Sequence, residues 1–246
     1  MDVDELLAHP PILHADRSGR PVSWGASSRL LRYLDSFLQE GQVTLETGAG
    51  LSTIVFAINR CHHTAIVPDI AQVEKIKEWC DGNNVATDRL NFIIDTSQNV
   101  LPGLDPTPSL DVCLIDGAHG FPLPFLDWFY IGQRLRLGGV VIVDDVQIWT
   151  GRVLHQFLLD ESSWVVDRFE PFEFFAARRT VAIEANEWTE QPYVLHRSYT
   201  TNSTSPFRRA CGYIFMIHRL GMSALAIARR RDWNELRRRI ALFRHY

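Results

Sequence analysis

The chain has 246 residues, 46% hydrophobic and 22% charged, a balance that excludes a disordered or fibrous protein and suits one domain with an appendage or two small ones. Its net charge of −4 hides an asymmetry. Residues 207–246 hold ten arginines against Asp232 and Glu235, a local +8 that leaves −12 on the first 206 residues. An acidic body whose only lysines are Lys75 and Lys77 is not built to track phosphate backbones, so no nucleic-acid partner is expected. The longest apolar runs, Leu137–Val143 and Cys211–Ile217, fall well short of the ~18 residues of a membrane span. The acidic start, Met1-Asp-Val-Asp-Glu5, lacks the basic lead of a signal peptide. Cys61, Cys80, Cys113 and Cys211 form no C-x-x-C pair, which argues against a zinc knuckle or a disulfide scaffold. These features predict a cytoplasmic location.

In chain order, residues 1–42 form a proline-punctuated lead-in with a helix near Ser27–Leu38. Val43–Leu45 reads as a strand and Ser52–Arg60 as a helix capped by Ser52 or Thr53. Thr64–Val67 is a second strand, followed by a helix over 70–80 with Val73, Ile76 and Trp79 at helical spacing. Leu90–Ile94 and Leu110–Ile115 are the third and fourth strands. Pro122–Leu137 is an aromatic-rich helix, and Gly139–Val143 is a fifth strand closed by Asp144-Asp145. These strands are continuous apolar runs, the mark of strands buried on both faces of a parallel sheet. Their alternation with helices predicts a Rossmann-like, doubly wound α/β fold. Thr150–Leu159 reads as a helix, and Trp164–Phe169 with Phe174–Arg178 as a terminal hairpin. Residues 186–206 are polar and Arg219–Tyr246 is helical in pattern.

The segment Glu46-Thr-Gly48-Ala-Gly50-Leu-Ser52-Thr53 directly follows the first strand. Glycines there let the chain turn tightly and a ligand approach the backbone. Position 53 is Thr rather than the third glycine of a dinucleotide fingerprint, and the lysine of a P-loop is missing. What remains is E-x-G-x-G.

With that motif, Asp111-Val-Cys-Leu-Ile-Asp116-Gly-Ala-His119 and Leu135-Arg-Leu-Gly138-Gly139-Val-Val-Ile-Val-Asp144-Asp145, residues 40–147 resemble the class I S-adenosylmethionine-dependent methyltransferases. The combination is most similar to small-molecule O-methyltransferases, including metal-dependent ones. The resemblance implies a seven-stranded, mostly parallel sheet with a C-terminal antiparallel hairpin strand and extra C-terminal helices. It implies a 43–180 methyltransferase domain, a 1–42 lead-in acting as a lid, and a 181–246 extension. It also implies that Gly48, Gly50 and Ser52 approach the cofactor's amino-acid part while Glu46 orders their loop. Ser97 and Gln98 would border the adenine, and Asp116 would face the donor pocket. Val67 stands where the family carries an acid for the ribose hydroxyls, so that role passes to Asp69 or to no acid.

Asp116, Asp144 and Asp145 fall at the ends of strands four and five, which lie on one edge of a parallel sheet. Converging carboxylates raise one another's pKa unless a cation intervenes, and oxygen ligands suit Mg²⁺. The resemblance assigns them to a substrate-binding Mg²⁺. Two alternatives stay open: Asp144 as a helix cap, and Asp116 in a metal-free donor pocket. His119, on the same loop as Asp116, is the candidate general base for a hydroxyl acceptor, or a loop histidine bonded to a carboxylate. The other histidines read as surface or packing residues. Trp24, Tyr33 and 23–28 are candidate lid residues, and Phe121 a candidate pocket residue.

In the tail, Asp232-x-x-Glu235 is a capping box before the stripe Trp233, Leu236, Ile240 and Phe243. It reads as a packing helix on the sheet or on a second subunit, a homodimer contact, or as a contact for an acidic partner or a membrane surface. The expected activity is methyl transfer to a hydroxyl of a small-molecule acceptor. Two rivals remain, an N- or protein methyltransferase and a non-catalytic module of the same fold that binds a partner through the Arg-rich tail.

Overall fold

A computed structural model describes residues 1–200 apart from 16, 17, 19, 23, 24, 106, 108 and 182–186. Trp24, residue 23, the 201–206 loop and the helical tail expected after Arg219 lie outside the described residues.

The lead-in folds as α1 (Val3–Ala8), the short pair β1 (His14–Ala15) and β2 (Pro21–Val22), and α2 (Ser28–Phe37). The main run is β3 (Val43–Thr47), α3 (Leu51–Ile58), β4 (His62–Ile66), α4 (Ile70–Gly82) and β5 (Leu90–Ile93). It continues with α5 (Ser97–Val100), β6 (Leu110–Ile115), α6 (Leu123–Arg134), β7 (Leu135–Val143), α7 (Trp149–Asp160), β8 (Trp164–Glu170) and β9 (Phe174–Arg179). The chain divides into two compact units, 1–184 and 185–246. In the second, the described part contains α8 (Pro192–Thr200), where the Arg197 guanidinium stacks 3.6 Å over the Tyr193 ring.

The seven main strands take the order β5-β4-β3-β6-β7-β9-β8. β5 to β7 are parallel, and β9 inserts antiparallel between β7 and β8. This is the expected doubly wound sheet with its terminal hairpin. The apolar runs split by residue parity between the two faces, as strand geometry requires. Val112, Leu114, Val140, Ile142, Phe174 and Ala176 join α1, α2 and α3 in one core. Cys113, Ile115, Val141, Val143, Phe175 and Ala177 join α6 and α7 in the other. Strand order reverses between β3 and β6, and ligands of such sheets bind at the carboxyl ends beside that point.

Several boundaries differ from the expectation. α6 stops at Arg134 rather than Leu137, because Leu135 already pairs with Leu110 as β7 begins. Arg134 turns back to donate to the carbonyls of Asp105, Tyr130 and Leu101 at 2.6–3.2 Å. Gly50, not Ser52 or Thr53, is the N-cap of α3. Part of the polar 186–206 stretch is helical, with Pro192 at the first helical position, where its missing N–H costs nothing. α1, not foreseen, is set by a capping box between Asp2 and Glu5.

Gly48 holds φ at +95°, and a Cβ there would collide with the Asp116 backbone carbonyl; Gly41, at +82°, has open space around it. Gly41→Ala should therefore cost only the ~1–2 kcal/mol of a left-handed backbone. Gly48→Ala should cost roughly 2 kcal/mol more, or prevent folding, because backbone must move. Urea unfolding midpoints of the two variants separate the collision from the conformational term.

Candidate active site

The β3–α3 loop is held from below by a buried carboxylate. Glu46 is 1% exposed. It accepts from Ser52 Oγ at 2.7 Å and from Thr53 Oγ1, and lies 3.1 Å from His63 Nε2. Thr53 Oγ1 in turn accepts from the Gly50 N–H at 2.9 Å. His63 is fixed by Thr44 Oγ1 at 2.8 Å and stacks on Phe56. Glu46 thus shapes the loop and does not itself line the cleft above it.

That cleft encloses about 770 Å³, within the range of small-ligand sites. Its walls bring together Gly48, Gly50, Ser52, Ser97, Gln98, Asp116, His119, Asp144 and Asp145, nine residues singled out from sequence. Val67 and Pro68 line it at the β4 end. Asp69 is not part of the lining; its carboxylate accepts from the Ala71 N–H at 3.0 Å as the N-cap of α4. N-cap preference for Asp is the signal that could have shown this.

The lead-in contributes His14, Gly25 and Ala26 to the cleft. Tyr33 instead packs on Phe37 and Phe174, with its hydroxyl donating to Asp167 at 2.6 Å. Phe121 lies outside the cleft lining, 72% exposed, with its ring near Phe125 and Trp149. His14, expected as a surface or packing residue, lines the cleft, and so does Gln72, which the sequence did not mark. Nothing in the local pattern around either residue marks it, since the cleft joins segments distant in sequence.

His119 Nε2 lies 2.9 Å from Asp145 Oδ2, and the His119 carbonyl accepts from Thr150 Oγ1 at 2.7 Å. Asp116, His119 and Asp145 each offer a ligand atom within 4.8 Å of the others. This set replaces Asp144 of the expected trio with His119. Asp144 is 7% exposed, and it does not cap α7, whose N-cap is Ile148.

The two neighbouring acids are driven apart. Burial pushes the Asp144 carboxyl up to about 7, while the hydrogen bond from His119 holds Asp145 below the usual carboxylate range. Asp116 is raised by burial and by the charges of Asp144, Glu46 and Asp145. Raised carboxyls bind protons more tightly in the folded chain than in the unfolded one. Stability therefore falls as pH rises from about 4 towards 7, and the Asp144 contribution levels off above that. Asp144→Asn should flatten the decline in melting temperature between pH 5 and 8, by roughly 2–4 °C per kcal/mol regained. Thermal melts of both proteins across that range test this.

Residues 45–146 match a family profile described as a methyltransferase domain. No curated protein matches the chain. Among solved structures, the O-methyltransferase TomG from Streptomyces achromogenes, in complex with SAM, is similar at 18% identity and a TM-score of 0.55, over 73% of this chain and 86% of that one. Cofactor-bound Rv0187 from MTB is similar at 18% and 0.54, over 64% and 83%. A methyltransferase from Geobacter sulfurreducens is similar at 17% and 0.52, over 73% and 86%. At these identities the structures attest the fold. Residues 45–146 thus carry a match to a methyltransferase domain, on the strand order of that fold.

Proposed function

We propose that the enzyme methylates a hydroxyl of a small molecule, with residues 1–42 contributing to the cleft, 43–180 carrying the chemistry and 181–246 forming an extension. The observation that carries this reading is the His119–Asp145 pair, 2.9 Å apart and beside Asp116 in the same cleft as the glycine loop. The residues fit the cofactor: Gly48, Ala49 and Gly50 line one side of the cleft, and Thr96, Ser97 and Gln98 offer polar groups in the same lining. No carboxylate among the described lining residues comes from the β4 end, so the ribose would be held without an acid there.

When bound, S-adenosylmethionine supplies a methyl group on a cationic sulfur. The acceptor oxygen forms the new C–O bond as the C–S bond breaks, and its proton must leave. His119 takes that proton on the nitrogen turned away from Asp145. Asp145, held ionised, then stabilises the imidazolium and fixes the ring. The Thr150 hydrogen bond to the His119 carbonyl steadies the loop that carries the base. Asp116 and Asp144 line the cleft at the ends of β6 and β7 and would face the cationic sulfur when the cofactor is bound. The Gly-Ala-His sequence after Asp116 favours an oxygen acceptor over the aromatic loops of N-methyltransferases.

A second reading has its own observation, the ligand atoms of Asp116, His119 and Asp145 gathered within 4.8 Å. Two carboxylates and an imidazole suit a divalent cation such as Mg²⁺ or Mn²⁺, which when bound would lower the pKa of the acceptor hydroxyl. In that case His119 is a ligand and not the base.

Transfer of a labelled methyl group to a panel of phenols, sugars and polyketide-like alcohols tests the reading. His119→Ala should lose ~10²–10⁴-fold in rate, with the loss shrinking at high pH where the acceptor ionises unaided. Turnover that survives a chelator keeps His119 as base. Turnover that vanishes with chelator and returns with added metal supports the cation. Labelling of an amine or a protein with no hydroxyl acceptor would refute both.

A further inference from the structure

His14 sits in the lead-in, far in sequence from the glycine loop, yet its imidazole faces that loop. Gln72 Nε2 donates to the Ala49 carbonyl and lies 3.2 Å from His14 Nδ1. A backbone carbonyl can only accept, so the Ala49 contact fixes which end of the Gln72 amide is nitrogen. The second hydrogen of that nitrogen points at Nδ1, which must therefore accept. The His14 proton is left on Nε2. That atom lies 3.5 Å from where a Cβ on Gly50 would stand, so its N–H hangs over the start of α3. Burial and Lys75 hold the ring below its ordinary pKa, in the neutral one-donor state.

The cleft is also polar in the electrostatic sense. Asp116, Asp144 and Asp145 form an acidic wall at the ends of β6 and β7. At the other end α3 begins at Gly50, which has no side chain of its own to cap the first helical N–H groups, and a helix start favours negative charge. S-adenosylmethionine carries two cations, sulfonium and ammonium, and one anion, its carboxylate. The ionised Asp145 in that wall repels the anion, and the His14 end is where a donor awaits it.

We propose that His14 binds the carboxylate of the cofactor's methionyl part through Nε2–H, with Gln72 as the residue that sets its tautomer. This assignment rests on the methyltransferase reading and adds a lead-in residue to the cofactor site.

Calorimetric titration of the full chain with S-adenosylhomocysteine and with 5′-methylthioadenosine tests it, since the second ligand lacks the amino-acid end. His14→Ala should weaken S-adenosylhomocysteine roughly tenfold to a hundredfold, the worth of a hydrogen bond to a charged group. The affinity for 5′-methylthioadenosine should stay within about twofold. His14→Phe keeps a ring without the donor and should show the same selective loss. His14→Gln restores an N–H near the place of Nε2 and should recover part of the affinity. Equal weakening of both ligands, or no weakening of either, would overturn the assignment. A wild-type chain that binds neither ligand would overturn the cofactor reading itself, and this inference with it.

Discussion

Two close approaches of backbone to backbone set the distances on which the site depends. The Asp116 carbonyl oxygen occupies the space a Gly48 Cβ would need, and the Asp145 carbonyl oxygen comes within 2.7 Å of where a Gly151 Cβ would stand. The first contact locks the end of β3 to the end of β6. The second locks the start of α7 to the end of β7. The neighbour of Gly151, Thr150, holds the His119 carbonyl. One turn of α7 therefore fixes both partners of the His119–Asp145 pair. Their spacing is a property of packed backbone rather than of side-chain rotamers, which is what a site needs to hold geometry within fractions of an ångström.

The same backbone explains why adjacent aspartates behave differently. Asp145 adopts φ +54°, a left-handed conformation that Asp tolerates. Its side chain is a third exposed and meets His119, whereas Asp144 is buried. One carboxyl is stabilised as the anion and the other as the acid. Groups pushed apart in this way can divide the work of a proton transfer, one holding charge and the other avoiding it. A cation in the cleft would reverse the balance at Asp116 by offsetting the repulsion that raises it.

The sheet was legible because parallel strands must be apolar on both faces; β6 was read to the residue and β7 missed only its first turn from α6. The glycine loop was legible because a buried strand followed by Gly-x-Gly has few uses other than a tight ligand-facing turn. Asp116, His119, Asp144 and Asp145 were legible as a group because strand ends share an edge. Which three of them converge was not, since that depends on the left-handed turn at Asp145 and on α7 reaching back to residue 119. His14 and Gln72 were invisible for a related reason: their contact joins the lead-in to α4 through the Ala49 carbonyl, and no periodicity encodes it. Of the two readings for the ribose, Asp69 or no acid, the N-cap bond of Asp69 to Ala71 favours the second.

A polar layer under the cleft accounts for what keeps its walls in register. Asp127, on α6, is 1% exposed. Its carboxyl lies within electrostatic reach of the Thr47 and Ser97 hydroxyls, at geometries looser than full hydrogen bonds. It would also sit 3.5 Å from a Cβ on Gly117. Thr47, Ser97 and Gly117 belong to three different segments of the cleft wall, so one side chain touches the end of β3, the start of α5 and the loop after β6. Burial raises its pKa, and the two hydroxyls and His119 draw it back. An apolar residue there would fill the space, but it would leave the buried Thr47 hydroxyl with no carboxyl to turn towards, at about 1–3 kcal/mol. A buried carboxyl that is costly to the fold is therefore tolerated where it ties the end of β3 and the start of α5 to the loop that carries His119.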